Sequence, residues 1–385
     1  MTGWATPRAR GRWLLLGVAA ALALLVVVGR LQHGGLATRR PAPVPVPVAP
    51  TTTTRPLPVT ATVTLGTASG PQLGNWSGPK VGEGRLWVTV DGVLVGVDPR
   101  RARVVARLRL AQPGDFVNLV AVGAGAVWVG TRAGVVRVDP ATGRVVATLR
   151  GDNPPWAAGA GSLWSVDCPN QQGPCRLLRL DPRNLRVIAR FQLPGVPGGP
   201  LAFGDGSAWL LDRQGAWVWR VDLAGGRVVR VRLPSAAGST DVLGQLVVGE
   251  GAVWTLTRVE RPTRLGVRVD LGLLRIDRHT NRVSAITPLA DLNSGDYQVE
   301  LAVGAGGVWV EGRHLQDGQA RAVIVRVDPA SGRVHGRLET GDPNPAALAA
   351  GSGSLWLLRP SGNVLLRLDP AGAARDRGGG PRGTR

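Results

Sequence analysis

Seven times the chain writes Gly-x-Gly-x-x-Trp, starting at Gly82, Gly123, Gly159, Gly204, Gly249, Gly304 and Gly351. The tryptophans that close the motif, Trp87, Trp128, Trp164, Trp209, Trp254, Trp309 and Trp356, recur every 36 to 55 residues. A period of that size restricts the chain to a solenoid, a propeller or an array. The second copy shows what one unit contains. Leu119 to Val122, Val127 to Val129, Val135 to Asp139 and Arg144 to Leu149 are short β-rich runs bounded by turn residues. Gly123-Ala-Gly125 reads as a hairpin turn, and Asp139-Pro-Ala-Thr-Gly143 as a type I turn with proline at the position that wants φ near −65°.

Four antiparallel strands per unit, seven units and no helical periodicity predict an all-β, seven-bladed β-propeller over residues 59–370. The last copy ends at Asp369-Pro370 without a fourth strand, and an orphan strand, Val59 to Leu65, precedes the first copy. Residues 59–65 are therefore expected to complete the seventh blade and remove the open edge. The repeated tryptophan is expected to pack between blades.

The pattern Val-Gly-x-Gly-x-x-Trp-Val, followed by Arg-Val-Asp-Pro-x-Thr-Gly-Arg-Val-Val-Ala-Thr-Leu, resembles the YVTN-type propeller repeats of bacterial surface and periplasmic proteins, with Trp-Val in place of Tyr-Val. The resemblance covers residues 59–370. Its superfamily neighbours include virginiamycin B lyase-like and sugar-lactonase-like propellers, which are metal-dependent enzymes. The resemblance thus admits a lyase or lactone hydrolase as the alternative to a non-catalytic scaffold. The repeats lack the Gly-His and Trp-Asp pairs of WD40 units. Gly-x-Gly is no dinucleotide fingerprint here, because no helix or crossover follows it.

The N-terminus sets an expected address. Basic residues 1–12 precede an apolar run at 13–29, about 26 Å long as a helix. This reads as a transmembrane or signal-anchor helix, with cleavage after Ala37 as the secreted alternative. Residues 30–58 are Pro/Thr-rich and read as an extended tether. The propeller is expected on the extracytoplasmic side of the plasma membrane, as a single-pass monomer. Cys168 and Cys175, the only cysteines, fit a local disulfide in an exported protein.

The net charge of +20 is less informative than it looks. Residues 59–370 hold 35 basic against 25 acidic residues, which leaves +10 for the propeller. Residues 371–385 read as a disordered Gly/Arg-rich tail. Arg137, Arg179, Arg220, Arg275, Arg326 and Arg367 each stand two residues before a turn aspartate, so Arg and Asp are expected side by side. All but one of the basic residues are arginine; Lys80 is the sole lysine. This is a compositional bias, and nucleic acid is not the expected partner.

Strand order places function on one face. The first-to-second and third-to-fourth turns are short and alike. The second-to-third loops vary, with excess length in blades 3, 5 and 6: the Cys168–Cys175 loop, residues 257–272 and residues 311–322. Variable loops on a rigid scaffold are where binding concentrates. Candidate ligand-binding residues there are Asp296, Tyr297, Glu300, Glu311 and His314, with Asp115, Asp152 and Asp342 at blade entries. No catalytic pattern, resident metal or cofactor is assigned; a divalent metal belongs only to the enzyme alternative. The expected partner is a cell-envelope protein or a small ligand.

Overall fold

The computed structural model describes residues 54–66, 76–112, 117–151, 154–169, 173–234, 242–263, 266–289, 292–293, 299–316, 319–341, 347–359 and 363–371. Their strands form seven antiparallel sheets, one for each Gly-x-Gly-x-x-Trp unit. The expected N-terminal helix, most of the tether and the C-terminal tail lie outside the described residues.

Within a blade the strands run in sequence order from the centre outward. In blade 1 these are Trp76–Gly82, Arg85–Val90, Val93–Asp98 and Arg103–Arg109. The inner strands Trp76–Gly82, Asn118–Gly123, Ala157–Gly159, Ala202–Gly204, Val242–Gly249, Glu300–Gly304 and Ala347–Gly351 surround a central channel. Blade 7 is completed from the other end of the chain. Val59–Thr64 pairs antiparallel with Val364–Leu368, from Val59 opposite Leu368 to Thr64 opposite Val364. The expected closure is therefore present. The clasp also extends further than expected, because Thr54–Pro56, inside the expected tether, adds a parallel strand to the outer edge of blade 6.

All seven repeat tryptophans are buried, with at most 1 % of their surface exposed. They pack where sheets meet: Trp87 among Val127, Val129 and Val138 of blade 2, and Trp309 among Leu355, Leu357 and Leu368 of blade 7. Four of the indoles donate to the carbonyl of the first motif glycine at 2.8 to 3.0 Å: Trp128 to Gly123, Trp164 to Gly159, Trp254 to Gly249 and Trp309 to Gly304.

The two motif glycines have different jobs. The second serves the turn: at Glu83-Gly84, φ is 51° and 75°, both positive as a type I′ hairpin requires. The first serves the joint between blades. A Cβ on Gly82 would meet Val122 Cγ1 at 2.7 Å, on Gly204 Val248 Cγ1 at 2.5 Å, and on Gly351 Val81 Cγ1 at 2.7 Å. In each case the neighbour is the residue just before the next blade's own first glycine, so the contact passes from blade to blade and Gly351 returns it to blade 1.

The arginines before the turn aspartates do not pair with them as expected. Arg137, Arg179, Arg220, Arg275 and Arg326 stand opposite the repeat tryptophans and lie 5.4 to 6.0 Å from the ring centroids. Several also cap a neighbour's backbone, as Arg220 does on the carbonyl of Arg278 in blade 5. In blade 1, Gly96 occupies the arginine position and Arg85 covers Trp87 from 5.8 Å instead. The turn aspartates accept from their own turn: Asp139 from Ala141 N–H and Asp277 from His279 and Thr280 N–H. Those donors hold Asp98, Asp139, Asp277 and Asp328 below the ordinary carboxylate range.

Candidate functional site

The face opposite the Gly-x-Gly turns carries the irregular hairpins. Two of the three expected long loops prove to be strand. Blade 5 extends into a pair of 12-residue strands, Ala252–Thr263 and Gly266–Asp277, in register to Thr263 opposite Gly266. Blade 6 extends through Gly307–Gln316 and Gln319–Val327. The reason is local: Val, Thr and Arg residues continue the pairing where other blades turn back. The link after blade 5 is captured too. Leu292–Asn293 pairs with His314 and Arg313, and Leu292 is buried beside Leu271 and Leu289. In blade 3 the Cys168–Cys175 disulfide is formed, and Arg176 pairs with Asp167 at 3.6 Å at the base of the loop.

Of the candidate residues, Glu300 and Glu311 are brought together. They face each other directly across two strands of blade 6, which puts their Cβ atoms about 5 Å apart on one face. That face is the one from which Trp309 packs on blade 7. Glu311 is 1 % exposed. Burial pushes Glu300 up to about 7, while the positive charge of Lys80 pulls the other way. The backbone of His314 stands opposite Leu292 and Arg321, away from this pair. Asp115, Asp152, Asp296, Tyr297 and Asp342 lie outside the described residues. No group of three or more His, Cys, Asp or Glu placed to hold a metal occurs among the described residues.

Lys80 was not among the expected site residues, yet the repeat itself marks it. It stands opposite Trp87, two residues before the first motif glycine. The same position in the other blades holds Ala121, Ala157, Ala202, Val247, Ala302 and Ala349, each opposite its own tryptophan. A ring of small apolar side chains thus carries one ammonium, from the only lysine of the chain. Lys80 is solvent-exposed although it sits on an innermost strand, so its side chain reaches the channel. Protein on all sides of the channel still lowers its pKa, against the pull of Glu300. Glu311 is exceptional in the same way: two residues past the tryptophan, the other blades hold Thr89, Gly130, Val166, Leu211, Leu256 and Leu358. Aligning the seven copies position by position would have exposed Lys80.

A second irregular feature lies on the hairpin face between blades 3 and 4. A cavity of about 320 Å³ is lined by Trp217, Trp219, Arg213, Arg230 and the link Pro194 to Val196. Trp217 is half-buried, with Arg232 5.8 Å from its ring centroid. The cavity adjoins the disulfide loop through Gly173 and Gly195.

Sequence comparison matches no family model and no curated protein. Solved structures do match. Hydrazine synthase of Kuenenia stuttgartiensis aligns with a TM-score of 0.54 at 13% identity, over 83% of this chain and 97% of that one. The Cps50 (Swd1) β-propeller domain of Myceliophteria thermophila aligns with a TM-score of 0.51 at 11% identity, over 81% and 99%. BamB from Moraxella catarrhalis aligns at 15% identity over 76% and 81%, with a TM-score of 0.41. At these identities the first two show a shared propeller fold and nothing about activity.

Proposed function

We propose that this chain is an exported, membrane-tethered propeller that binds a cell-envelope partner through the face carrying the hairpins of blades 3, 5 and 6. One observation carries the reading. The two ends of the same seven units differ: one end keeps near-identical turns, while the other departs from the repeat in ordered ways, through paired strand arms, a captured link strand and a disulfide. Ordered, irregular elements on a rigid ring suit recognition. The likeness to YVTN-type repeats supports an extracytoplasmic position. The test replaces residues 258–270 with a two-residue Asn-Gly turn and compares affinity capture of envelope proteins. The expected result is an unchanged melting temperature with loss of a specific partner. Retention of every captured protein by this variant, and by a second one lacking 313–320, sinks the reading.

The metal-dependent enzyme reading has one observation in its favour, the Glu300–Glu311 carboxylate pair of blade 6. Melting with and without EDTA decides it. A ligand that binds only the folded state raises stability by about RT ln(1 + [L]/Kd). A melting temperature that falls with EDTA and recovers with Ca²⁺, Mg²⁺ or Zn²⁺ would favour the enzyme.

A further inference from the structure

We propose that the central channel binds a small zwitterion, a free amino acid or short peptide, with its carboxylate on Lys80 and its ammonium on Glu300.

The argument begins with the gap between these two groups. They stand on inner strands two blades apart, with the inner strand of blade 7 between them. Each feels the charge of the other. Yet among the described residues neither makes a hydrogen bond or an ion pair, so the opposite charges do not touch. A salt bridge would have closed that distance. Instead a cation and an acid stand on inner strands around one channel, where the positions matching Lys80 in the other blades are alanine and valine, most of them buried in the blade joints. Burial penalises the charged form of Glu300, which has no partner among the described residues, and a ligand ammonium would relieve that penalty while its carboxylate meets the accessible Lys80.

Height in the channel narrows the ligand. Lys80 is two residues before its motif glycine and Glu300 is four before its own. The two backbones are offset by about 7 Å along the strand direction. The long Lys80 side chain spans part of that offset, so a zwitterion whose two charges are only a few atoms apart can meet both groups; a simple anion or cation satisfies one end and leaves the other bare.

The test uses calorimetric titration of the full chain with L-alanine and L-alanyl-L-alanine. Two blocked probes accompany them: N-acetyl-L-alanyl-L-alanine, which lacks the ammonium, and L-alanyl-L-alaninamide, which lacks the carboxylate. Saturable binding of a zwitterion, weakened about tenfold or more by either block, is expected. Lys80→Met should erase the preference for the free carboxylate, and Glu300→Gln the preference for the free ammonium, each leaving the other preference in place. If Lys80→Met does not fold, acetylation of the intact protein serves, since Lys80 is the only lysine. No saturable binding of either zwitterion up to about 10 mM overturns the proposal. So does binding of a blocked probe as tight as the free one. Loss of this binding leaves the partner reading of the hairpin face intact, because the arm variants do not touch the channel.

Discussion

The two ends of the ring are made from the same seven repeats and have been used in opposite ways. At the turn end, the units repeat the same tasks: a type I′ turn in all seven, a first glycine that lets the next blade approach in five, and an aspartate that accepts from its own turn. At the hairpin end no two of blades 3, 5 and 6 agree. Uniformity marks the end where neighbouring blades must fit, because a ring closes only if every joint has the same shape. Divergence marks the end that no joint constrains.

The comparison predicts unequal costs of mutation. Trp309→Ala should cost the most, about 3–5 kcal/mol by denaturant titration, since it empties a fully buried site between blades 6 and 7. Trimming residues 258–270 should cost far less, and an equal loss would break the distinction between the two ends. Gly204→Ala comes next. Its Cβ would lie 2.5 Å from Val248 Cγ1, an overpacked joint worth about 2–3 kcal/mol. Gly206→Ala, with φ of +67° and open space around it, should cost about 1 kcal/mol. Equal costs at the two glycines would mean that close approach is not what the first glycine provides.

The pH responses of the channel and the turns have opposite signs. Glu300 is raised in the folded state, so it costs nothing below its unfolded value of 4.5. Its penalty grows as pH rises toward about 7 and is complete above it. Glu300→Gln should therefore stabilise the protein at pH 8, on the order of 2 kcal/mol, and leave it unchanged at pH 4. A stability difference independent of pH would sink this account. The turn aspartates are depressed, so their contribution is present above the unfolded value of 3.8 and is lost as pH falls through the folded one. Asp139→Ala is the smallest effect. It should lower the melting temperature slightly at pH 7, and the difference should shrink as the medium is acidified toward pH 3.

How much of this was legible beforehand follows the same division. The blades, their strand order and the closing strand could be read because period, turn residues and apolar alternation repeat seven times and agree. The joint role of the first glycine could not, because the residue that demands it, such as Val122 for Gly82, lies 40 positions away. The arginines were misassigned for a related reason. Two-apart spacing puts Arg137 on the same face as Asp139, but it does not reveal that Trp128 stands directly opposite. Glu300 and Glu311 were readable only as two carboxylates. Their pairing needed strand register, and Lys80 needed the ring of alanines around it. The strand arms of blades 5 and 6 read as loops because their residues follow no repeat.

The clasp has a consequence for the order in which the protein can be made. Val59–Thr64 is among the first ordered strands to be synthesised, and its partner Val364–Leu368 is the last. A nascent chain can form blades 1 to 6 from local hairpins, each within a few tens of residues of itself. It cannot finish blade 7 until nearly all of the polypeptide has emerged, and closing that loop of ~300 residues is the least local step of the whole process. Until then Val59–Thr64 has no partner strand and is able to pair wrongly. If the proposed membrane helix at 13–29 holds the linker, it would also keep the early strand close to the growing domain, so that clasp and anchor would act together in finishing the ring.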